Sequence, residues 1–263
     1  MEKQESTLYF IGMGLRGFYT CSLECLDVIQ KADTIYVEKY TNFVLEELPP
    51  LMQKISSKFK FISREELEEK DLIFLEKNRN KTIALLIPGD PFIATTHISL
   101  RIAAKKKGFN CHVIHNTSIV SAAASASGLS VYKFGKTVTL PFSENYSDTP
   151  YEIIKANKLI NAHTLVLLDI DLFSNRFLAV DEAIDQLLEL EHVKREKVFI
   201  NDSKVVGIAQ LGYNYEFIHA GTALNLRKVH WREIGPPQSL IICAENLHFT
   251  EEEALKELWM LKN

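Results

Sequence analysis

The stretch YFIGMGLRGFYT, Tyr9 to Thr20, decides how the first half of this chain is read. The apolar run from Thr7 to Ile11 predicts a buried strand, and Gly12-Met13-Gly14-Leu15-Arg16-Gly17 behind it spells a G-x-G-x-x-G loop. Leu23, Leu26 and Ile29 then recur at helical spacing, which predicts a helix over Ser22 to Ala32, and Thr34 to Glu38 returns as a strand. That is one βαβ unit. On the residues alone the loop has three readings: a dinucleotide site, another nucleoside site, or a plain turn. In the first, Glu38, about 20 residues beyond Gly17, takes the ribose hydroxyls. Against it, Phe18-Tyr19-Thr20-Cys21 crowd the place where a pyrophosphate needs bare amides at a helix start. Glycine is also the default wherever φ must be positive.

Working outward, the charged stretch from Leu45 to Asn80 predicts helices around a short KFKFIS strand, and TIALLI (82–87) is a buried strand ending at Pro88-Gly89-Asp90-Pro91. A helix from about Thr96 to Lys107 stops at Gly108, and CHVIH (111–115) is the next strand. Such alternation implies a parallel sheet with helices on both faces. Lys105, Lys106 and Lys107 oppose the helix dipole before a glycine cap and are no nucleic-acid patch. After Asn116 the character changes. TSIVSAAASASGL is a helix of small residues; TVTLPF, TLVLLDID, KVFIND and SLIICAE read as strands, and Val180 to Glu191 and Glu251 to Leu261 as helices. The expectation is two α/β lobes, residues 1–117 and 118–263: a mainly parallel sheet flanked by helices, then a mixed sheet, with the ligand cleft between them.

Composition bounds the function. At 263 residues and 46% hydrophobic the chain can bury a sizeable core, and a net charge of −4 gives no bulk attraction to nucleic acid or an anionic membrane. The apolar runs are too short to span a bilayer, and Met1-Glu2-Lys3-Gln4-Glu5 does not open as a secretion signal, so a cytoplasmic location is expected. The four cysteines then read as reduced core thiols. Cys21 and Cys25 share a helical face, but Cys111 and Cys243 are remote, and His112 and His115 on one strand point to opposite faces, so no metal is expected. The two prolines around Gly89-Asp90 make a rigid turn at the carboxyl edge of the sheet, where open α/β folds place ligands. Asp90 there either holds polar parts of a ligand or accepts backbone bonds of its own turn. Asn116, Thr117 or Ser118 can cap a helix whose Ala122, Ala123, Ala124 and Ser125 leave room for a flat ligand or a close packing contact.

Together LYFIGMGL, PGDPFIATTHISLRIAAKKKG, VIHNTSIVSA, GLSVYKFGKTVTLPF, HTLVLLDID and GPPQSLII…LHFTE resemble the diphthine synthase family, within the tetrapyrrole-methylase-like superfamily. The likeness runs in order along almost the whole chain, with PGDPF-ATTH and YKFG its most specific parts. It implies a two-lobed homodimeric methyltransferase that binds S-adenosyl-L-methionine (SAM) folded in the cleft and releases S-adenosyl-L-homocysteine. The implied substrate is elongation factor 2, whose 3-amino-3-carboxypropyl-histidine is methylated on nitrogen on the way to diphthamide. It further implies cofactor contacts at Leu15, Asp90, Ile93, Ser118, Ile119, Leu168, Leu211 and Gln238, some through backbone groups alone, and no catalytic side chain, because the sulfonium already activates its methyl group. The match of Gly17 to the dinucleotide pattern is then accidental, and His97 of ATTH is a group behind the site or an ordinary helix-face histidine.

The chain departs from that pattern at three places. RGFYTCS (16–22) replaces a more charged stretch, Gln238 stands where histidine is frequent, and AAASASGL replaces a version with more glycine. Glutamine still donates and accepts hydrogen bonds, so Gln238 is kept as a contact.

Overall fold

The computed structural model of the chain describes residues 5–38, 48–68, 72–172 and 174–259. The chain divides into two compact units, Met1–Ser118 and Ile119–Asn263. In the first the elements run β1 (Thr7–Gly12), α1 (Leu23–Lys31), β2 (Thr34–Glu38), α2 (Pro50–Gln53), β3 (Phe59–Ile62), α3 (Arg64–Glu68), α4 (Ile73–Glu76), β4 (Thr82–Ile87), α5 (His97–Lys106) and β5 (Asn110–Ile114). The strands form a parallel sheet in the order β3-β2-β4-β1-β5.

These strands are continuous apolar runs because helices cover both faces of the sheet. On one face Cys25 and Ile29 of α1 pack with Ile11, Ile35, Val37 and Leu86. On the other, Leu100 and Ala104 of α5 pack with Phe10, Tyr36, Leu85 and Ile87. Burying one such large aliphatic side chain contributes roughly 1.5–3 kcal/mol. The Ser22 hydroxyl caps α1 by accepting from the Cys25 amide, and Gly108, at φ +84°, stops the chain behind Lys105 and Lys106 at the end of α5. So the connections from β1 and β4, neighbours in the sheet, leave toward opposite faces. Between diverging connections of this kind a crevice opens beyond the carboxyl ends of the strands.

The second unit runs α6 (Ile119–Ser127), β6 (Val138–Leu140), α7 (Thr149–Leu159), β7 (Thr164–Leu168), β8 (Ile170–Asp171), β9 (Arg176–Phe177), α8 (Val180–Lys194), β10 (Lys204–Ala209), β11 (Phe217–Thr222), α9 (Ala223–Leu226), α10 (Trp231–Ile234), β12 (Gln238–Ile242) and α11 (Phe249–Ala254). Its main sheet, β11-β10-β12-β7-β6, is mixed: β6 and β7 are parallel, the other neighbours antiparallel.

Two expectations are corrected here. KVFIND (197–202) is not a strand, because the Glu191 carboxylate accepts from the Lys197, Val198 and Phe199 amides at 2.6–3.1 Å and takes the donors a ladder would use. Arg195 and Lys197 are left-handed, both at φ +58°, and the strand begins only at Lys204. The last helix starts at Phe249 and turns π-helical over Leu255–Trp259; Leu261 lies outside the described residues, as does part of the Leu45–Asn80 stretch.

Candidate functional site

At the carboxyl edge of the first sheet the loops after β1, β4 and β5 are tied into one structure. Gly14 and Gly89 form an antiparallel bridge, each amide donating to the other's carbonyl, at 3.1 and 2.9 Å. Both have positive φ, +72° and +71°. A Cβ on Gly12 would stand 2.6 Å from the Gly89 carbonyl oxygen, and one on Gly14 2.6 Å from the Thr20 hydroxyl. At Gly89 an added Cβ meets nothing within 4 Å among the described residues: the glycine serves the turn and borders space that they leave open.

Side chains complete the tie. The Asn116 amide nitrogen donates to the carbonyls of Gly12 (3.0 Å) and Thr20 (2.9 Å), while its oxygen accepts from the Thr117 amide. Thr20 Oγ1 donates to the Met13 carbonyl at 2.6 Å. Asp90 is buried with its carboxylate committed: Oδ1 accepts from the Phe92 amide, and Oδ2 accepts from the Asn116 amide and faces His115 Nδ1 at 2.8 Å. What this edge offers a ligand is therefore shape and backbone groups, with no carboxylate to spare at Asp90.

Of the positions expected to contact a cofactor, Leu15 is half-buried just past the Gly14 bridge, Ile93 is exposed beyond Pro91, and Ser118 is buried after β5. These three and Asp90 follow adjacent strands. Ile119 opens α6. Leu168, Leu211 and Gln238 are buried at one edge of the second sheet: Leu168 ends β7, Gln238 begins β12 opposite Ala209, and Leu211 lies just past β10. The Gln238 side chain is fully engaged, accepting from the Val180 amide at the start of α8 and donating to the Trp231 and Gly235 carbonyls.

Two buried networks were not legible as contacts in the sequence, although the ATTH and YKFG signatures mark them. His97 of ATTH has Nδ1 3.2 Å from the Pro91 carbonyl and Nε2 3.5 Å from Glu38 Oε2. Burial lowers its pKa, opposed by the Pro91 carbonyl and the charge of Glu68. In the second unit Lys133 of YKFG donates to Glu251 at 2.6 Å. His163 Nδ1 accepts from the Ala244 amide, so its hydrogen sits on Nε2, which donates to Glu251 at 3.0 Å. Burial alone would raise the Glu251 pKa; Lys133, the His248 and Ser130 amides and His163 outweigh it and hold the carboxyl at about 2.

The geometry also weighs the readings of the first loop. Gly17 opens a short 3-10 turn with φ +58°, and the amides of α1 begin only at Leu23, behind its own Ser22 cap. Glu38 is buried and faces His97 at the end of β2. Both features disfavour a dinucleotide. His112 stacks on Tyr9, whereas His115 lies past the end of β5 and turns to Asp90. Among the described residues no three His, Cys, Asp or Glu are placed to hold a metal ion, and no helix is long and apolar enough to cross a membrane.

Comparison with known proteins finds relatives along nearly the whole chain. Residues 7–226 match the family of tetrapyrrole (corrin/porphyrin) methylases. The chain is 38% identical over 251 residues to a diphthine synthase of Methanosphaera stadtmanae, covering 94% of each chain. It is 39% identical over 256 residues to one of Staphylothermus marinus, covering 92% of each. Among solved structures, a diphthine synthase superposes with a TM-score of 0.85 at 32% identity, over 97% of this chain and 96% of the other. A putative diphthine synthase from Entamoeba histolytica also gives 0.85, at 31% identity, over 98% and 100%.

Proposed function

Because this chain belongs to the diphthine synthase family, within the tetrapyrrole (corrin/porphyrin) methylases, we propose that it methylates the amine of 3-amino-3-carboxypropyl-histidine in elongation factor 2 with SAM as donor. The observation that carries the reading is the Gly14–Gly89 bridge, tied through Asp90 and Asn116 to the end of β5 at the point where the connections of the sheet diverge. Open space beside Gly89 and backbone groups held rigidly around it fit a nucleoside bearing a short polar chain. Leu15, Asp90, Ile93, Ser118, Ile119, Leu168, Leu211 and Gln238 are the proposed cofactor contacts. Asp90 and Gln238, whose side-chain polar atoms are engaged, contribute through backbone and loop shape.

When bound, SAM supplies a methyl carbon already activated on a sulfonium; the amine lone pair forms the new C–N bond as the C–S bond breaks. The chain then has to hold donor and acceptor in line, and such alignment supplies roughly 7–11 kcal/mol of a barrier. Desolvation of the acceptor amine lowers its pKa and keeps its lone pair available without a dedicated base. Homodimerisation and a cytoplasmic location belong to the same reading.

Titration calorimetry with SAM, S-adenosyl-L-homocysteine and NAD tests the cofactor. Heat from the first two and none from NAD is expected; heat from NAD alone would end this reading. For the acceptor, radiolabelled methyl groups should enter elongation factor 2 bearing the modified histidine. Incorporation into tRNA in its place would overturn the assignment.

A further inference from the structure

Glu38 and His97 are buried ionisable side chains of the first unit that face each other, and the transfer of a methyl group uses neither. Glu38 is the last residue of β2, and Val37 before it pairs with Leu86 near the end of β4. Their polar atoms therefore meet directly behind the Pro88-Gly89-Asp90-Pro91 turn.

The hydrogen placement follows from the partners. The Pro91 carbonyl can only accept, so the hydrogen between it and His97 sits on Nδ1. On the other side of the ring, Nε2 lies 3.5 Å from Glu38 Oε2, with both side chains buried. Thr95 Oγ1 donates to the same Pro91 carbonyl at 3.0 Å, and Ala94 between them is left-handed at φ +56°, a conformation that persists only where the surroundings impose it.

We propose that Glu38 and His97 are a positioning pair for the cofactor loop: they clamp the Pro91 carbonyl to the end of β2 and so fix where Gly89, Asp90 and Ile93 stand. The proposal rests on the reading of this edge as the SAM site. Neither residue touches the reacting atoms, so their loss raises the KM and Kd for SAM and leaves kcat nearly unchanged.

The test uses the full chain and four variants. His97→Ala removes the clamp; His97→Asn keeps the donor to Pro91 but cannot reach Glu38; Glu38→Gln keeps a polar group toward Nε2; Glu38→Ala removes the contact with Glu38. Hydrogen exchange of the 88–96 segment without cofactor should accelerate at least tenfold in His97→Ala and Glu38→Ala and less than threefold in Glu38→Gln, with His97→Asn between. Exchange in β1 and β4 should not change. Calorimetry should show SAM affinity falling tenfold or more in the two alanine variants and restored within threefold in Glu38→Gln. Unchanged loop exchange in His97→Ala, or accelerated exchange with unchanged SAM affinity, overturns the proposal. Accelerated exchange in the variants together with no SAM heat from the wild-type protein keeps the clamp and removes the cofactor reading.

Discussion

Gly14 and Gly89, far apart in the chain, are joined by two backbone hydrogen bonds at the end of adjacent parallel strands, and each holds a left-handed backbone that suits glycine. Because among the described residues only Gly14 has neighbours where a side chain would go, substituting the two glycines separates the fold from the candidate site.

Gly14→Ala meets both an unfavourable φ and the Thr20 hydroxyl and should cost roughly 2–4 kcal/mol. Gly89→Ala has the φ cost alone, about 1 kcal/mol. The Gly89 variant should fold, yet lose SAM affinity because its methyl occupies the open space beside the turn. Urea unfolding checks the first statement and calorimetry the second; a Gly89→Ala protein that binds SAM like the wild type would contradict the placement of the cofactor.

Asn116 joins three backbone segments with one amide. Asn116→Ala leaves the Gly12 and Thr20 carbonyls without that donor and should cost about 1–3 kcal/mol while loosening the first loop. Thermal unfolding with and without SAM should show a lower melting temperature and a smaller ligand-induced rise.

Gln238 should behave differently. Its amide serves Val180, Trp231 and Gly235 inside the second unit, so Gln238→Ala strands buried backbone groups and should cost roughly 2–4 kcal/mol of stability. In the variant that remains folded, SAM affinity should fall less than tenfold. A larger loss of affinity at unchanged stability would mean that its side chain meets the cofactor directly.

Acid stability should follow Glu251 and His163. Both have depressed folded pKa values: Glu251 is held at about 2 against an ordinary 4.5, and burial lowers His163 below 6.5 despite Glu251 beside it. A depressed pKa means that the unfolded chain binds the proton more readily, so stability is complete above the unfolded value and declines as pH falls. The His163 share should begin to fade below pH 6.5, and the Glu251 share, about 3 kcal/mol, between pH 4.5 and pH 2. Glu251→Gln should be less stable at neutral pH and show a flatter acid limb in urea titrations. Parallel acid limbs for variant and wild type would contradict this assignment.

The first unit was legible because glycines, prolines and apolar runs mark its βαβ order, and both glycine loops lie where that order places them. The second was harder. KVVGIA, the actual strand β10, carries Gly207 at its centre, where Trp231 packs over the backbone and leaves no room for a Cβ. KVFIND has the better strand composition and loses its amides to one carboxylate of the preceding helix. At the site, the turn at Gly89-Asp90 was readable, but the links from Asn116 to Gly12 and from His97 to Glu38 join residues that meet only through tertiary packing. No local periodicity records such a meeting.

A crystal structure of the chain with S-adenosyl-L-homocysteine tests the central claim most directly. The nucleoside should lie at the carboxyl edge of the first sheet, against Gly12–Leu15, Gly89–Ile93 and Asn116–Ser118. A complex with the ligand seated elsewhere, and the Gly14–Gly89 bridge untouched by it, would contradict the account.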